Sequence, residues 1–286
     1  MFGKKLDYVL TDCDGTICDS GFDVAKDTVK SIVKYQRKSG YRFSFITGRL
    51  DVSSKKIAKQ LKIQLPVVSC NGALITNINT GEFLHAEYID KTTCIKLFEQ
   101  GHELGLDLVV YQPGSMVGTP NSVRMNKWKE YKKTISKKYH FPTITYSNLQ
   151  EIATAIKNEE VKPVEIIFYT LDKKIEQKAH ELFKKYLSKI DFGQSLPGVF
   201  NIVKKNVNKL SGLKHFAKII GVDYQKIVTF GDNYNDIEMT KGVTYGYAVN
   251  NAVNELKKVA YQVIGSVEQN GVGQQLEKMI EDNNEN

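Results

Sequence analysis

Two carboxylates one residue apart, Asp12 and Asp14, stand where a short apolar run, Tyr8-Val9-Leu10, should leave the interior for solvent. The run is too brief for a helix and fits a strand buried on both faces. In an open parallel sheet, ligands bind just outside the carboxyl ends of the strands. Two acids held there repel unless a cation or a shared proton separates their roles. Asp14-Gly15 could equally close a surface hairpin. A calcium loop fits worse, since it requires a third oxygen ligand before its glycine and an acid at its end. This stretch alone leaves turn and active site open, so the other strand ends must decide. The strand expected over Tyr41–Ile46 ends in Thr47-Gly48-Arg49, and the one over Ile227–Phe230 ends in Gly231-Asp232-Asn233-Tyr234-Asn235-Asp236. Lys209 opens a helix. If these groups face one crevice, three or four carboxylates surround one lysine and one hydroxyl. Oxygen ligands without His or Cys suit a hard divalent ion, Mg²⁺ above all. Lys209, Thr47 and loop N–H groups would then hold phosphate oxygens.

The elements that must position these groups follow from periodicity and breakers. The pattern predicts a helix over Val24–Ser39, capped by Asp23, with Val29, Ile32 and Val33 on its apolar face and Gly40 ending it. A second helix should start just after Thr47-Gly48-Arg49, with Asp51 or Ser53 as cap and its N–H groups free for phosphate. Pro66–Ser69 reads as a strand, followed by Asn71-Gly72-Ala73 and a hairpin of Leu74–Ile78 and Glu82–Glu87 turned by Asn79-Thr80-Gly81. Strands alternating with helices imply a doubly wound parallel sheet. From about Tyr88 the character changes. Helices over Lys91–Leu104, Arg124–Tyr139 and Lys173–Leu187, strands over Leu106–Tyr111 and Val164–Tyr169, and a Gly- and Pro-containing loop over Gln112–Asn121 describe an inserted α+β module. The first pattern resumes with a strand over Val199–Val203 and a helix over Lys209–Ile220 closed by Gly221. Strands over Thr244–Val249 and Tyr261–Ile264, a helix over Val272–Ile280 and a frayed tail at Asp282–Asn286 complete it. The expected architecture is α/β: a Rossmann-like core of residues 1–83 and 195–286, with an inserted α+β cap of residues 84–194.

Composition narrows the partners. The 286 residues carry a formal charge of +8, almost all of it from Lys, with only Arg37, Arg42, Arg49 and Arg124 as arginines. Base reading relies on the arginine fork, so nucleic acid is not expected, although the charge favours small anions. No apolar run approaches a membrane span, and Met1–Lys5 leads into a strand rather than a signal peptide. Cys13, Cys18, Cys70 and Cys94 lack paired metal-ligand spacing and read as reduced thiols of a cytoplasmic protein. Cys13, between two acids, reads as a packing residue rather than a nucleophile.

Asp12-Cys13-Asp14-Gly15-Thr16, Thr47-Gly48-Arg49, Lys209 and Gly231-Asp232-Asn233-Tyr234-Asn235-Asp236, in this order, resemble the four motifs of the haloacid dehalogenase-like phosphohydrolases. Asn71-Gly72-Ala73, Asn251-Ala252 and Asn270-Gly271-Val272 further resemble the Cof-type branch of that family. One departure is Asn208-Lys209-Leu210, where the branch usually has Ser-Lys-Gly, and Lys204 and Lys205 are neighbouring competitors for the lysine's place. The resemblance implies a Mg²⁺-dependent phosphatase acting on small phosphomonoesters through an aspartyl-phosphate, with a phosphomutase or a non-catalytic regulatory or nucleic-acid-binding protein as alternatives. Asp12 would be the nucleophile and Asp14 the general acid and base. Asp12, the Asp14 carbonyl and Asp232 would hold the metal, with Asp236 a direct or supporting ligand. Cys13 N–H, Thr47, Gly48 N–H, Lys209 and Asn235 would grip the phosphoryl oxygens. Asn71, Asn251, Arg124 and Lys127 are candidates for the rest of the substrate, a small phosphorylated metabolite. A monomer or homodimer is expected.

Overall fold

The computed structural model describes residues 6–19 and 23–285. Met1–Lys5, read above as leading into a strand, lie outside the described residues. Contacts divide the chain into two compact units: the described residues of Met1–Gly48, Ser54–Leu84 and Asn208–Asn286, and those of Arg49–Ser53 with His85–Val207.

The first unit is built on a five-stranded, wholly parallel sheet. Its order is Gln262–Ile264, Gly246–Val249, Val228–Gly231, Val9–Thr11, Phe43–Phe45. Val9–Thr11 is an interior strand, paired on both sides and buried throughout. One face carries Val9, Phe43, Phe45, Val228 and Phe230 against Ile32 and Tyr35 of the helix Lys26–Ser39 and Leu276 and Ile280 of the helix Gly271–Glu285. The other face carries Leu10 and Ile46 against Leu213 and Phe216 of the helix Lys209–Ile220. Helices on both faces of a parallel sheet make the core doubly wound. A single parallel bridge, Ile46 to Val68, joins its edge to Val67–Ser69, which belongs to a three-stranded antiparallel sheet with Leu74–Asn77 and Glu82–Ala86.

Several local expectations shift. The first helix starts at Lys26 rather than Val24, because Val24 bridges to Cys18 as extended chain. Asp23 does not cap it; its carboxylate accepts from Lys56 Nζ at 2.5 Å. Val29 and Val33 are only half buried, and the buried stripe instead includes Thr28, Ser31 and Gln36. After Thr47-Gly48-Arg49 comes a 3₁₀ turn, Asp51–Ser54, and then a six-residue helix, Lys55–Gln60, so no full helix begins at that strand end. Neither Asp51 nor Ser53 caps the helix. Asp51 accepts from Gly114 N, and Ser53 Oγ donates to Leu50 O at 2.6 Å. The closing helix continues through the supposed tail to Glu285, and Asn286 lies outside the described residues.

The second unit is a six-stranded sheet in the order Ile190–Leu196, Val199–Lys204, Glu165–Tyr169, Asp107–Gln112, Ser115–Gly118, Thr143–Thr145. All pairs are antiparallel except the last. Leu108, Val110, Ile166, Phe168, Phe200 and Ile202 alternate onto one face and meet Leu97, Phe98, Ile152, Ile156, Leu182 and Phe183 of three helices. The strand read from the sequence over Val199–Val203 as a return to the parallel sheet runs over Val199–Lys204 and pairs with Glu165–Tyr169. The loop expected over Gln112–Asn121 contains the strand Ser115–Gly118, turned back at Pro113-Gly114. The long polar helix ends at Tyr131, and only the 3₁₀ turn Lys137–Tyr139 follows. The helix Leu149–Lys157, not anticipated, completes the layer.

Candidate active site

Register brings the acids together. Thr11 lies opposite Phe230 on one side and Phe45 on the other, so Asp12, Gly231 and Ile46 leave their strands at one level. Asp12 N donates to Phe230 O at 2.9 Å. The next peptides turn sharply: the Cys13 carbonyl accepts from the N–H groups of Thr16, Ile17 and Cys18. Gly15 has φ +82°, and a Cβ placed there would collide with the Asp232 carboxylate. Glycine lets this loop approach the Asp232 loop closely. Thr16 Oγ1 then donates to Asp232 Oδ1 at 2.9 Å, tying the two acid loops together across most of the chain's length.

Lys209 is the centre of the site. Asn208 caps its helix in a reciprocal capping box with Ser211, the arrangement by which a non-consensus Asn-Lys-Leu still starts a helix here. The Lys209 side chain is 1 % exposed, and its Nζ lies 2.7 Å from Asp12 Oδ1 and 2.7 Å from Asp236 Oδ1. Lys204 and Lys205 are elsewhere, paired with Glu87 and Asp191 in the second unit. Asp236 is fully buried, and its second oxygen accepts from the N–H groups of Asp232 and Asn233, both at 3.1 Å. The acid four residues after Asp232 therefore holds both that loop and the lysine.

Electrostatics follow from the burial. Loss of water pushes the Asp12 carboxyl well above the ordinary range; Lys209 opposes this, while Asp236 and Asp232 add to it. Burial and Asp236 push Asp232 up to about 6, against the pull of Lys209 and the Thr16 hydrogen bond. Burial alone would lower Lys209, but Asp12 and Asp236 more than offset it, and its affinity for a proton rises. One ammonium faces three carboxylates, and carboxylate oxygens of Asp12, Asp232 and Asp236 lie within 4.8 Å of one another. Such a set could hold a metal ion. Its deficit of positive charge and all-oxygen donors fit a hard divalent cation.

The remaining sequence candidates divide. Asp14 is half buried in the same loop, and Cys13 is fully buried with its carbonyl at the loop's centre. Thr47 is buried; its N–H donates to Val68 O, and its carbonyl accepts from Asn71 N. Gly48 passes beside the Asn71 side chain, which a Cβ on Gly48 would meet at 3.2 Å. Asn235 Nδ2 donates to Asn71 Oδ1 at 2.9 Å. Asn251 is engaged with the protein: Nδ2 donates to Gly15 O at 2.7 Å, and Oδ1 accepts from Val267 N at 2.9 Å. Arg124 and Lys127 belong to the second unit, Arg124 Nε donating to the Tyr111 hydroxyl at 2.7 Å and Lys127 Nζ standing 5.1 Å over the Tyr169 ring. Trp128 is buried and stacked on Phe141. Sequence reasoning missed the supporting bonds of Thr16 and Asp236, although both residues sit inside the quoted motifs.

A family model of haloacid dehalogenase-like hydrolases matches residues 9–276. The chain belongs to that family. A haloacid dehalogenase-like hydrolase solved from Bacteroides thetaiotaomicron superposes with a TM-score of 0.81 at 18 % identity, covering 96 % of this chain and 100 % of its own. Among curated relatives, a Buchnera aphidicola (subsp. Schizaphis graminum) protein carrying a phosphatase name is 27 % identical, over 96 % of each chain. The pyridoxal phosphate phosphatase YbhA of Escherichia coli is 24 % identical, over 90 % of this chain and 92 % of its own. Among the described residues of this haloacid dehalogenase-like hydrolase, no helix is long and apolar enough to cross a membrane.

Proposed function

We propose that this hydrolase is a Mg²⁺-dependent phosphatase of small phosphomonoesters, sugar phosphates or similar metabolites, working through an aspartyl-phosphate on Asp12. The observation that carries the reading is Lys209, buried between Asp12 and Asp236 at 2.7 Å from each, with Asp232 beside them at the carboxyl ends of adjacent parallel strands. Asp12, the Asp14 carbonyl and Asp232 would hold Mg²⁺, with Asp236 behind them, since its oxygens are already bound to Lys209 and two N–H groups. Bound there, the ion would offset the charge of the phosphate dianion.

In the first step an Asp12 carboxylate oxygen bonds to phosphorus and the ester P–O bond breaks, while Asp14 gives its proton to the departing alkoxide. In the second, water attacks phosphorus, Asp14 takes the water's proton, and the acyl-phosphate P–O bond breaks to free Asp12 and inorganic phosphate. Lys209 favours the ionised form of Asp12 for the first attack and holds the side chain in place. Lys209, Thr47, Asn235 and the N–H groups of Cys13 and Gly48 would bind the non-bridging oxygens, which gain charge in the transition state. The inserted unit, carrying Arg124 and Lys127, would act as a cap that selects the leaving group, and a cytoplasmic monomer or homodimer fits the composition.

The test is phosphate release from a panel of sugar phosphates, nucleotides and pyridoxal phosphate, with Mg²⁺ and with EDTA. Hydrolysis of some panel members is expected with Mg²⁺ and not with EDTA, and Asp12→Asn should lose at least about 10³-fold in kcat. Near-normal turnover by Asp12→Asn would end the covalent mechanism.

A further inference from the structure

The turn Cys70-Asn71-Gly72 holds a backbone conformation that its own sequence does not favour. Cys70 and Asn71 are consecutive non-glycine residues in the left-handed region, with φ +50° and +53°. Such a pair is unfavourable for side-chain-bearing residues and persists only where contacts over-determine it. Three contacts do so. Asn71 N donates to Thr47 O at 3.1 Å. Asn71 Oδ1 accepts from Asn235 Nδ2 at 2.9 Å. Gly72, itself at φ +103°, lies so close to the start of the Lys209 helix that a Cβ on it would collide with Asn208 O, and one on Gly212 would stand 2.6 Å from Gly72 Cα.

These three contacts reach the three separate elements that carry Thr47, Asn235 and Lys209. We propose that Asn71 is a positioning residue for phosphoryl binding: its left-handed backbone and side-chain amide lock the Thr47, Asn235 and Lys209 elements in one mutual arrangement. It acts through Asn235, whose amide it orients, and need not touch the ester group of the substrate. The link to phosphate rests on the function proposed above; the link between Asn71 and Asn235 stands on geometry alone.

Glycine separates the amide from the backbone, because it adopts the left-handed conformation without strain. Asn71→Gly is therefore expected to keep the melting temperature of the wild type. Its dissociation constant for inorganic phosphate, measured by calorimetry with Mg²⁺ present, should rise about three- to tenfold, the worth of one neutral hydrogen bond. KM for a hydrolysed ester should rise in parallel, with kcat changing less. Asn235→Ala should lose at least as much, because it removes the phosphate-binding amide itself, and the double variant should bind no more weakly than Asn235→Ala alone, because Asn71 acts through that amide. Independently of phosphate, the Asn235 side-chain NH₂ resonances should become mobile in Asn71→Gly. Additive losses in the double variant, or an Asn235 amide as rigid in Asn71→Gly as in the wild type, would overturn the proposal. A wild-type protein that binds no phosphate but whose Asn235 amide is freed by Asn71→Gly would uphold the positioning role and bring down the phosphatase reading instead.

Discussion

Lys209 shows how one side chain can serve stability and chemistry at once. An ammonium with 1 % exposure is tolerable only because Asp12 and Asp236 both lie 2.7 Å from it. Lys209→Met keeps the length of the side chain but leaves those carboxylates buried against each other. Removing one partner of a buried ion pair typically costs about 3–5 kcal/mol. Urea denaturation at neutral pH in EDTA should show a loss of that order, and turnover with Mg²⁺ should vanish. A variant as stable as the wild type would mean that Asp12 and Asp236 find other partners. At this scale the sequence was informative about identity and poor about support. Asp12, Asp232 and Lys209 stand out because acids and a lysine at strand and helix ends have few structural uses. Asp236 as the clamp on Lys209, and Thr16 as the clamp on Asp232, depend on through-space contacts spanning 27 and 216 residues. No local pattern encodes those distances.

The helix Lys26–Ser39 makes the corresponding point for elements. Its apolar residues are few, and periodicity placed Val29 and Val33 on the buried face beside Ile32. Its buried residues are mostly polar, Thr28, Ser31, Gln36 and Ser39 beside Ile32 and Tyr35, while Val29 packs on the core only partly buried. Gln36 is fully buried because the backbone around it needs polar partners. Its Nε2 donates to the Phe43 and Leu61 carbonyls, and its Oε1 accepts from Phe43 N. The side chain thereby pins the helix to the strand leading to Thr47. Gln36→Ala leaves these groups unsatisfied, each at about 1–3 kcal/mol, partly relieved by water entering the space. A net loss of roughly 2–4 kcal/mol is expected by chemical denaturation, with the backbone amide of Phe43 exchanging faster. A loss under about 0.5 kcal/mol, the scale of ordinary surface changes, would show that Gln36 is incidental. Elements like this are legible in outline because caps such as Gly40 and Gly221 punctuate them. They are illegible in orientation wherever a buried face is polar. Short strands fail differently: Ser115–Gly118 and Thr143–Thr145 have three or four residues, too few for alternation to show.

At the scale of the molecule, each unit has an interior of its own, and the second interrupts the first between Leu84 and Asn208. Its sheet is completed by its own strands, with Val199–Lys204 paired on both sides within the unit, and Lys91–Glu103, Leu149–Lys157 and Lys173–Lys184 cover one face. The chain enters and leaves this unit at neighbouring points, since Lys204 Nζ lies 2.6 Å from Glu87 Oε2. A segment with its own core and adjacent ends meets the usual conditions for independent folding. Residues 85–207 expressed alone should therefore unfold in one cooperative transition by circular dichroism, retaining mixed α/β signal. The complementary chain, with those residues replaced by a short Gly/Ser linker, should also fold, because adjacent ends make the closure entropy small. It should still bind Mg²⁺, seen as a higher melting temperature with the ion than with EDTA, because Asp12, Asp232, Asp236 and Lys209 all lie within the first unit. If the isolated insert is a molten or unfolded chain, the two units are one cooperative structure and their separation by contacts is only geometric. The linker chain carries the sharper consequence. A folded, metal-binding core that hydrolyses phosphate esters without discrimination would assign selectivity to residues 85–207, whereas unaltered substrate preference would place it within the parallel-sheet unit itself.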